Sequence, residues 1–148
     1  MSNEVAASDV AREESRRPRP VITPDSEPFW TSAHARALRL PKCLACAEFF
    51  FPPAPFCPRC WRDEISWELV AGTGKVFSFV TFQRLYDPSF EDLLPYDVAV
   101  IQLDEGPRML SRLTGTGNPA VDARVEVVYE ELDEHTTLPL FQVIAPAM

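Results

Sequence analysis

Two Cys-x-x-Cys pairs constrain this chain more than any other feature. Cys43-Leu44-Ala45-Cys46 and Cys57-Pro58-Arg59-Cys60 are separated by ten residues. A two-residue spacer lets both thiolates of a pair converge while the backbone turns around a metal. The ten residues between, Ala47–Phe56, are enough for a strand, a turn and a return. The pattern therefore predicts a zinc ribbon with Cys43, Cys46, Cys57 and Cys60 as ligands. An iron site of rubredoxin type uses a similar donor set, and disulfides are the third reading. A four-thiolate site is closed, so its role is structural rather than catalytic. Its free energy stands in for the hydrophobic core that about 25 residues cannot build. Pairs of this kind often place Gly just after the second Cys, where a positive φ is convenient. Here Ala47 and Trp61 stand at those positions, which predicts a strained or variant knuckle. The Trp61 ring is expected to cover the ribbon or a neighbouring surface.

Charge and proline divide the chain. Of 15 prolines, nine precede residue 60. Residues 28–75 carry six basic and four acidic residues, and residues 76–148 carry four basic and twelve acidic. The formal net charge of −8 is thus concentrated in the second half. That balance argues against a nucleic-acid module, which needs basic residues interleaved with aromatics. It also argues against docking on anionic membranes. No apolar run is long enough for a signal peptide or a membrane helix. A soluble, cytoplasmic protein is expected, in which thiols stay reduced and hold metal rather than pair as disulfides.

Three segments follow. Residues 1–24 are polar, mixed in charge and end near Arg-Pro-Arg-Pro, and are expected to be a disordered tail. Residues 25–65 hold a leading helix and the ribbon. Asp25 or Ser26 could cap that helix, Phe29, Ala33, Ala37 and Leu40 share a face, and Pro41 would end it. Residues 66–148 read as strands: 74–84, 96–104, 108–114, 124–131 and 138–144 are rich in Val, Phe, Ile and Leu. Alternation in the first places Val76, Val80 and Phe82 on one face and Phe77 and Phe79 on the other. Glu105-Gly106-Pro107 makes the second and third a hairpin. Five short strands without a long helix predict a small barrel of OB type. The fold class is mostly β: an N-terminal helix, a rubredoxin-like zinc ribbon, then a five-stranded OB-fold barrel.

Other motifs fail. Gly72-Thr73-Gly74-Lys75 lacks the first Gly and the Ser/Thr of a phosphate loop, and a strand follows where a helix is required. Gly115–Ala120 matches a dinucleotide pattern literally but leaves no room for its helix. His34 and His135 are read as exposed bystanders. Glu130-Glu131-Leu132-Asp133-Glu134 is a solvated strand end, and no Cys is left over as a nucleophile. No catalytic residue is assigned. The rings of Phe49, Phe50, Phe51, Phe56, Trp61 and Trp67 exceed what a ribbon needs. Packing between ribbon and barrel is one reading, and an exposed surface for a ligand or partner is the other.

The order of helix, four-Cys ribbon and acidic barrel resembles the zinc-ribbon/OB-fold acyl-CoA-associated family, domain of unknown function 35. The resemblance rests on PFW at 28–30, KCLACAEFFFPPAPFCPRC at 42–60, SWELVAGTGKVFSFV at 66–80, PYDVAVIQLDEGPRMLSRLTG at 95–115, RVEVVYEEL at 124–132 and LPLFQV at 138–143. It implies a noncatalytic accessory subunit of a thiolase-like enzyme, a sterol-carrier-type thiolase or aldolase or an acyltransferase, in a hetero-oligomer. Lipid or steroid metabolism is the implied setting. It further implies zinc on the four Cys, docking through ribbon and helix, and a barrel that helps enclose an acyl-CoA thioester channel. The chain departs from the pattern at Ala47 and Trp61, and at Asp122-Ala123 where a Gly-containing turn is usual. The alternative, from the two folds alone, is a nucleic-acid-binding module.

Overall fold

A computed structural model describes residues 17–146. Helix α1 spans Glu27–His34, with Pro28 in its first turn, where a missing N–H costs nothing. Thr23 and Ser26 bond to each other ahead of it. The helix is shorter than the apolar spacing predicts. Arg36 takes a left-handed φ of 58°, the Arg36 N–H donates to the Ala33 carbonyl, and the Ala37 N–H donates to the Ser32 carbonyl. This double bond pattern closes a helix end without glycine. Pro41 is therefore not the stop. It lies in strand β1 (Arg39–Cys43), opposite Trp67.

Strand β1 is the centre of a three-stranded antiparallel sheet, between β2 (Glu48–Phe49) and β3 (Ile65–Leu69). Proline is awkward in a central strand. Here the Phe50 N–H donates to the Pro41 carbonyl, so Pro41's missing donor faces the two-residue β2 and costs little of the ladder. Residues 66–69, grouped with the barrel by the sequence pattern, bond to β1 and belong to the ribbon sheet.

The remaining strands are β4 (Thr73–Phe82), β5 (Tyr96–Leu103), β6 (Arg108–Thr114), β7 (Arg124–Glu131) and β8 (Thr137–Ala145). They close a barrel in the order β4-β5-β6-β8-β7, with β4 pairing β7 and a short parallel contact between β6 and β8. This is the expected mostly β architecture. Closure depends on two glycines. A Cβ on Gly74 would lie 2.4 Å from the Gln102 carbonyl oxygen, and Gly72 has a φ of 74° while its carbonyl accepts from the Val127 N–H at 2.7 Å. The phosphate-loop lookalike is thus a barrel seam.

The predicted parity of β4 fails beyond Val76. Val76 pairs with Ile101 but Ser78 pairs with Val100, so Phe77 is a bulge. One inserted residue swaps the faces of everything after it. Phe79 packs on the core, and Val80 is 56% exposed. Arg108 covers the displaced Phe77 ring, 3.7 Å from its centroid.

One core joins the modules. Val76, Ile101, Leu103, Val125 and Phe141 fill the barrel, and Phe29, Leu38, Leu40 and Val70 extend the same cluster into helix and ribbon. The Tyr129 hydroxyl accepts from the Leu38 N–H at 3.1 Å, and burial pushes its phenol up. Of the tail expected over 1–24, residues 1–16 lie outside the described residues. Residues 17–24 have no regular structure but are tied to the barrel, Arg17 to Glu130 at 2.8 Å and Arg19 to Asp133 at 3.1 Å.

Candidate metal centre

The four sulfurs sit on two turns at one end of the ribbon. Cys43 ends β1, Cys46 lies in the turn to β2, and Cys57 and Cys60 form a second turn before β3. The turns share one construction. The Ala47 N–H donates to the Cys43 carbonyl and the Trp61 N–H to the Cys57 carbonyl, each at 2.8 Å. Ala47 has φ 58° and Trp61 φ 65°. The positions where glycine is usual are left-handed here despite their side chains, at about 1–2 kcal/mol each for an L-residue. Asp122 is a third case, with φ 69°. The two turns are equivalent because each must aim two sulfurs at one point.

The Sγ atoms of Cys43, Cys46, Cys57 and Cys60 all lie within 4.8 Å of one another, and Cys43 Sγ and Cys60 Sγ are 3.6 Å apart. A zinc–sulfur tetrahedron with bonds of about 2.3 Å has edges of about 3.8 Å, so the set fits a tetrahedral cation. Backbone N–H groups supply polarity. The Cys46 N–H approaches Cys43 Sγ and the Arg59 N–H approaches Cys57 Sγ, each at 3.4 Å. The N–H groups of Cys60 and Arg59 pull the Cys57 thiol down to about 7. Cys46 is pushed up to about 12, first by its bond to Cys60. Four thiolates so close cannot all ionise unless a cation neutralises them.

The six rings divide. Phe49, Phe51 and Trp67 pack against the core and Phe50 is buried. Phe56 and Trp61 instead stack on each other at 5.1 Å on the second knuckle, and Trp61 is 71% exposed. Trp61 therefore covers a ribbon neighbour and remains open to solvent.

The histidines come together in a way that sequence could not show. His34 and His135 line one cleft of about 270 Å³ with Trp30, Glu27 and Glu134. His34 Nδ1 lies 3.0 Å from Thr137 Oγ1. Of the acids of 130–134, Glu130, Glu131 and Asp133 are engaged structurally, while Glu134 lines that cleft. Glu130 receives Arg112 at 2.9 Å as well as Arg17, and Asp133 accepts the N–H groups of His135 and Thr136 at 2.8 Å. Among the described residues, the Cys set is the one group of three or more potential ligands placed to hold a metal.

Comparison with known proteins matches the two modules separately. Residues 30–66 match the model described as the rubredoxin-like zinc ribbon domain of ChsH2, and residues 67–130 its C-terminal OB-fold domain. A DUF35 domain-containing scaffold protein of Methanothermobacter thermautotrophicus is 33% identical over 96 residues, covering 63% of this chain and 71% of the relative. The chain belongs to the DUF35 family. A probable enoyl-CoA hydratase alpha subunit of Thermomonospora curvata is 36% identical over 134 residues, covering 88% of this chain. This DUF35 chain spans only 41% of that relative's length. Among solved structures, the Ltp2-ChsH2(DUF35) aldolase contains a chain that superposes with a TM-score of 0.76 at 33% identity, covering 84% of this chain and 98% of that one. A DUF35 protein of unknown function from Sulfolobus solfataricus shares the fold, with a TM-score of 0.60 at 17% identity.

No helix among the described residues is long and apolar enough to cross a membrane.

Proposed function

We propose that this chain is a noncatalytic accessory subunit that binds a thiolase-like enzyme, an aldolase or acyltransferase of that type, and supports its acyl-CoA thioester chemistry. One observation carries the reading: the match over 98% of a DUF35 chain in an aldolase complex, at 33% identity. The relative described as a probable enoyl-CoA hydratase alpha subunit adds an acyl-CoA setting. The titratable residues agree with a supporting role. The four Cys converge on one point, and Glu130, Glu131 and Asp133 pair with Arg or cap a turn.

Zinc is the cation proposed for Cys43, Cys46, Cys57 and Cys60, where it would cross-link the ribbon and neutralise the thiolates. With four sulfur ligands it leaves no open position for water or substrate, so no step of a reaction passes through it.

Tagged full-length protein from its native host tests the reading. A thiolase-like protein, identified by mass spectrometry, should be retained in fixed ratio, and the isolated chain should not turn over acyl-CoA thioesters. Absence of any thiolase-like protein from the purified material, or turnover by the isolated chain, would overturn it.

A further inference from the structure

The barrel turns an apolar field outward. Because of the bulge at Phe77, the outer rows of β4, β5 and β6 are Ser78–Val100–Leu110 and Val80–Val98–Arg112. Leu110 is 68% exposed. The field's own basic residues are engaged: Arg112 with Glu130, and Arg108 with Gln102 and the Phe77 ring.

At one end the field runs into the connection between β4 and β5, residues 83–95. Phe82 stacks on Tyr96 at 5.1 Å, Phe90 lies 5.7 Å from Tyr96, and Tyr86 meets Phe82 edge-on at 6.1 Å. A short 3₁₀ turn, Pro88–Leu93, is capped by Asp87, which accepts from the Ser89 N–H at 2.9 Å and the Ser89 hydroxyl at 2.7 Å. Those bonds hold the Asp87 carboxyl below its usual range. The connection is thus tied by a capped turn and by ring contacts to the strand ends. Yet Leu85 and Tyr86 on it are open to solvent, Tyr86 by 72%. Ordered, exposed aromatic and aliphatic anchors are what a protein interface presents, because little conformational entropy is left to lose on docking.

Charge selects the occupant. Residues 83–97 carry Asp87, Glu91, Asp92 and Asp97 against Arg84 alone. An acidic rim repels the phosphates of CoA and an anionic bilayer. A two-fold pairing of this face with itself would set the same acids against one another. What fits is an apolar patch ringed by Lys and Arg on a different protein.

We propose that the outer face of β4–β6 and the 83–95 connection form a protein-docking surface, and that the thiolase-like partner occupies it with a basic-rimmed apolar patch. This rests on the functional reading above and gives it an address on the barrel rather than on the ribbon alone.

The test uses the full chain co-purified with its partner. L85A/Y86A removes both anchors, Leu110→Lys charges the strand face, and E91K/D92K reverses the rim. Each variant should weaken binding of the thiolase-like partner at least tenfold, with metal content and melting temperature unchanged. For E91K/D92K the loss should shrink at high salt. Undiminished retention in all three overturns the inference. So does a wild-type dimer that L85A/Y86A converts to monomer, which would make this face a self-interface. Loss of acyl-CoA binding by the isolated L85A/Y86A chain overturns it in favour of a ligand surface. If the wild-type chain retains no thiolase-like protein, the functional reading falls and this inference with it. Retention by wild type and variants alike defeats the docking surface only.

Discussion

The ribbon and the barrel hold their shapes by different means. The barrel closes its hydrogen-bond ladder on itself and fills its interior with Val76, Ile101, Leu103 and Phe141. The ribbon sheet has only β1 and β3, five residues each, and β2, two residues, and its far end brings four sulfurs together. The module gathered at four sulfurs tolerates left-handed Ala47 and Trp61 and an exposed Phe56–Trp61 stack, as expected where the proposed metal, rather than packing, would fix those turns. The division is not clean, however. Leu38, Leu40 and Val70 place the ribbon's base inside the common core, so only the knuckle end would depend on the proposed metal.

The largest effect should come from removing the metal. Structural zinc contributes about 10–16 kcal/mol in small finger peptides. Cys57→Ser, or chelation, should abolish metal binding by elemental analysis. Amide protection should fall across residues 43–65, while β5 to β8 stay protected. Unchanged metal content would refute the ligand set. Collapse of both modules together would show that the barrel has no stability of its own. The reverse experiment is Phe141→Ala. Phe141 is fully buried, and truncating such a ring costs about 3–5 kcal/mol. Denaturant unfolding should show that loss in the barrel. If zinc is retained after the barrel melts, the knuckle end is independent; if it is released, the shared core governs both.

How far the sequence foretold this follows the same line. The five barrel strands were readable because each is a run of β-branched and aromatic residues ended by turn residues, and 108–114 and 124–131 match residue for residue. The Cys spacing likewise implied the convergence of four sulfurs. β1 is not readable, because Pro41 and Cys43 interrupt any alternation, and its pairing with β3 joins residues as far apart as Arg39 and Leu69. The apolar spacing overextends the helix because Ala37 and Leu40 continue it, while a left-handed Arg36 carries no compositional mark. A bulge is equally silent, so Phe79 and Val80 exchanged faces unannounced. The exposed anchors Leu85 and Tyr86 have one available signal, an apolar pair directly ahead of the acids Asp87, Glu91 and Asp92.

A smaller effect concerns the barrel seam. Arg124 bonds both oxygens of Asp104 at 2.8 Å, and the Thr73 hydroxyl donates at 2.5 Å. Chiefly through Arg124, the Asp104 carboxyl is held down to about 2. A depressed carboxylate stabilises the fold above its unfolded value near 3.9, and that contribution is lost as pH falls from about 4 through about 2. The pair is partly exposed, so solvent screening limits it to about 1 kcal/mol or less. Asp104→Asn should lower stability slightly at pH 7 and flatten its pH dependence between 4 and 2. An unchanged acid profile would remove this pair from the seam.

The smallest effect separates the modules most finely. Ala47 and Asp122 both hold a left-handed φ, one on a metal knuckle and one beside β7. Glycine relieves about 1–2 kcal/mol of strain there, while its freer unfolded chain takes back about 0.5–1 kcal/mol. Ala47→Gly and Asp122→Gly should therefore each be worth about 0.5 kcal/mol. The readouts should differ. Asp122→Gly also removes an exposed contact with Lys75 at 3.6 Å, which matters little, and its gain should appear in the melting of the barrel. The gain from Ala47→Gly should appear as tighter zinc retention against a chelator, with the barrel's melting unmoved. Were Ala47→Gly to raise the barrel's melting temperature as much as Asp122→Gly does, knuckle strain would be transmitted through Leu40 and Val70, and the two modules would be a single cooperative unit.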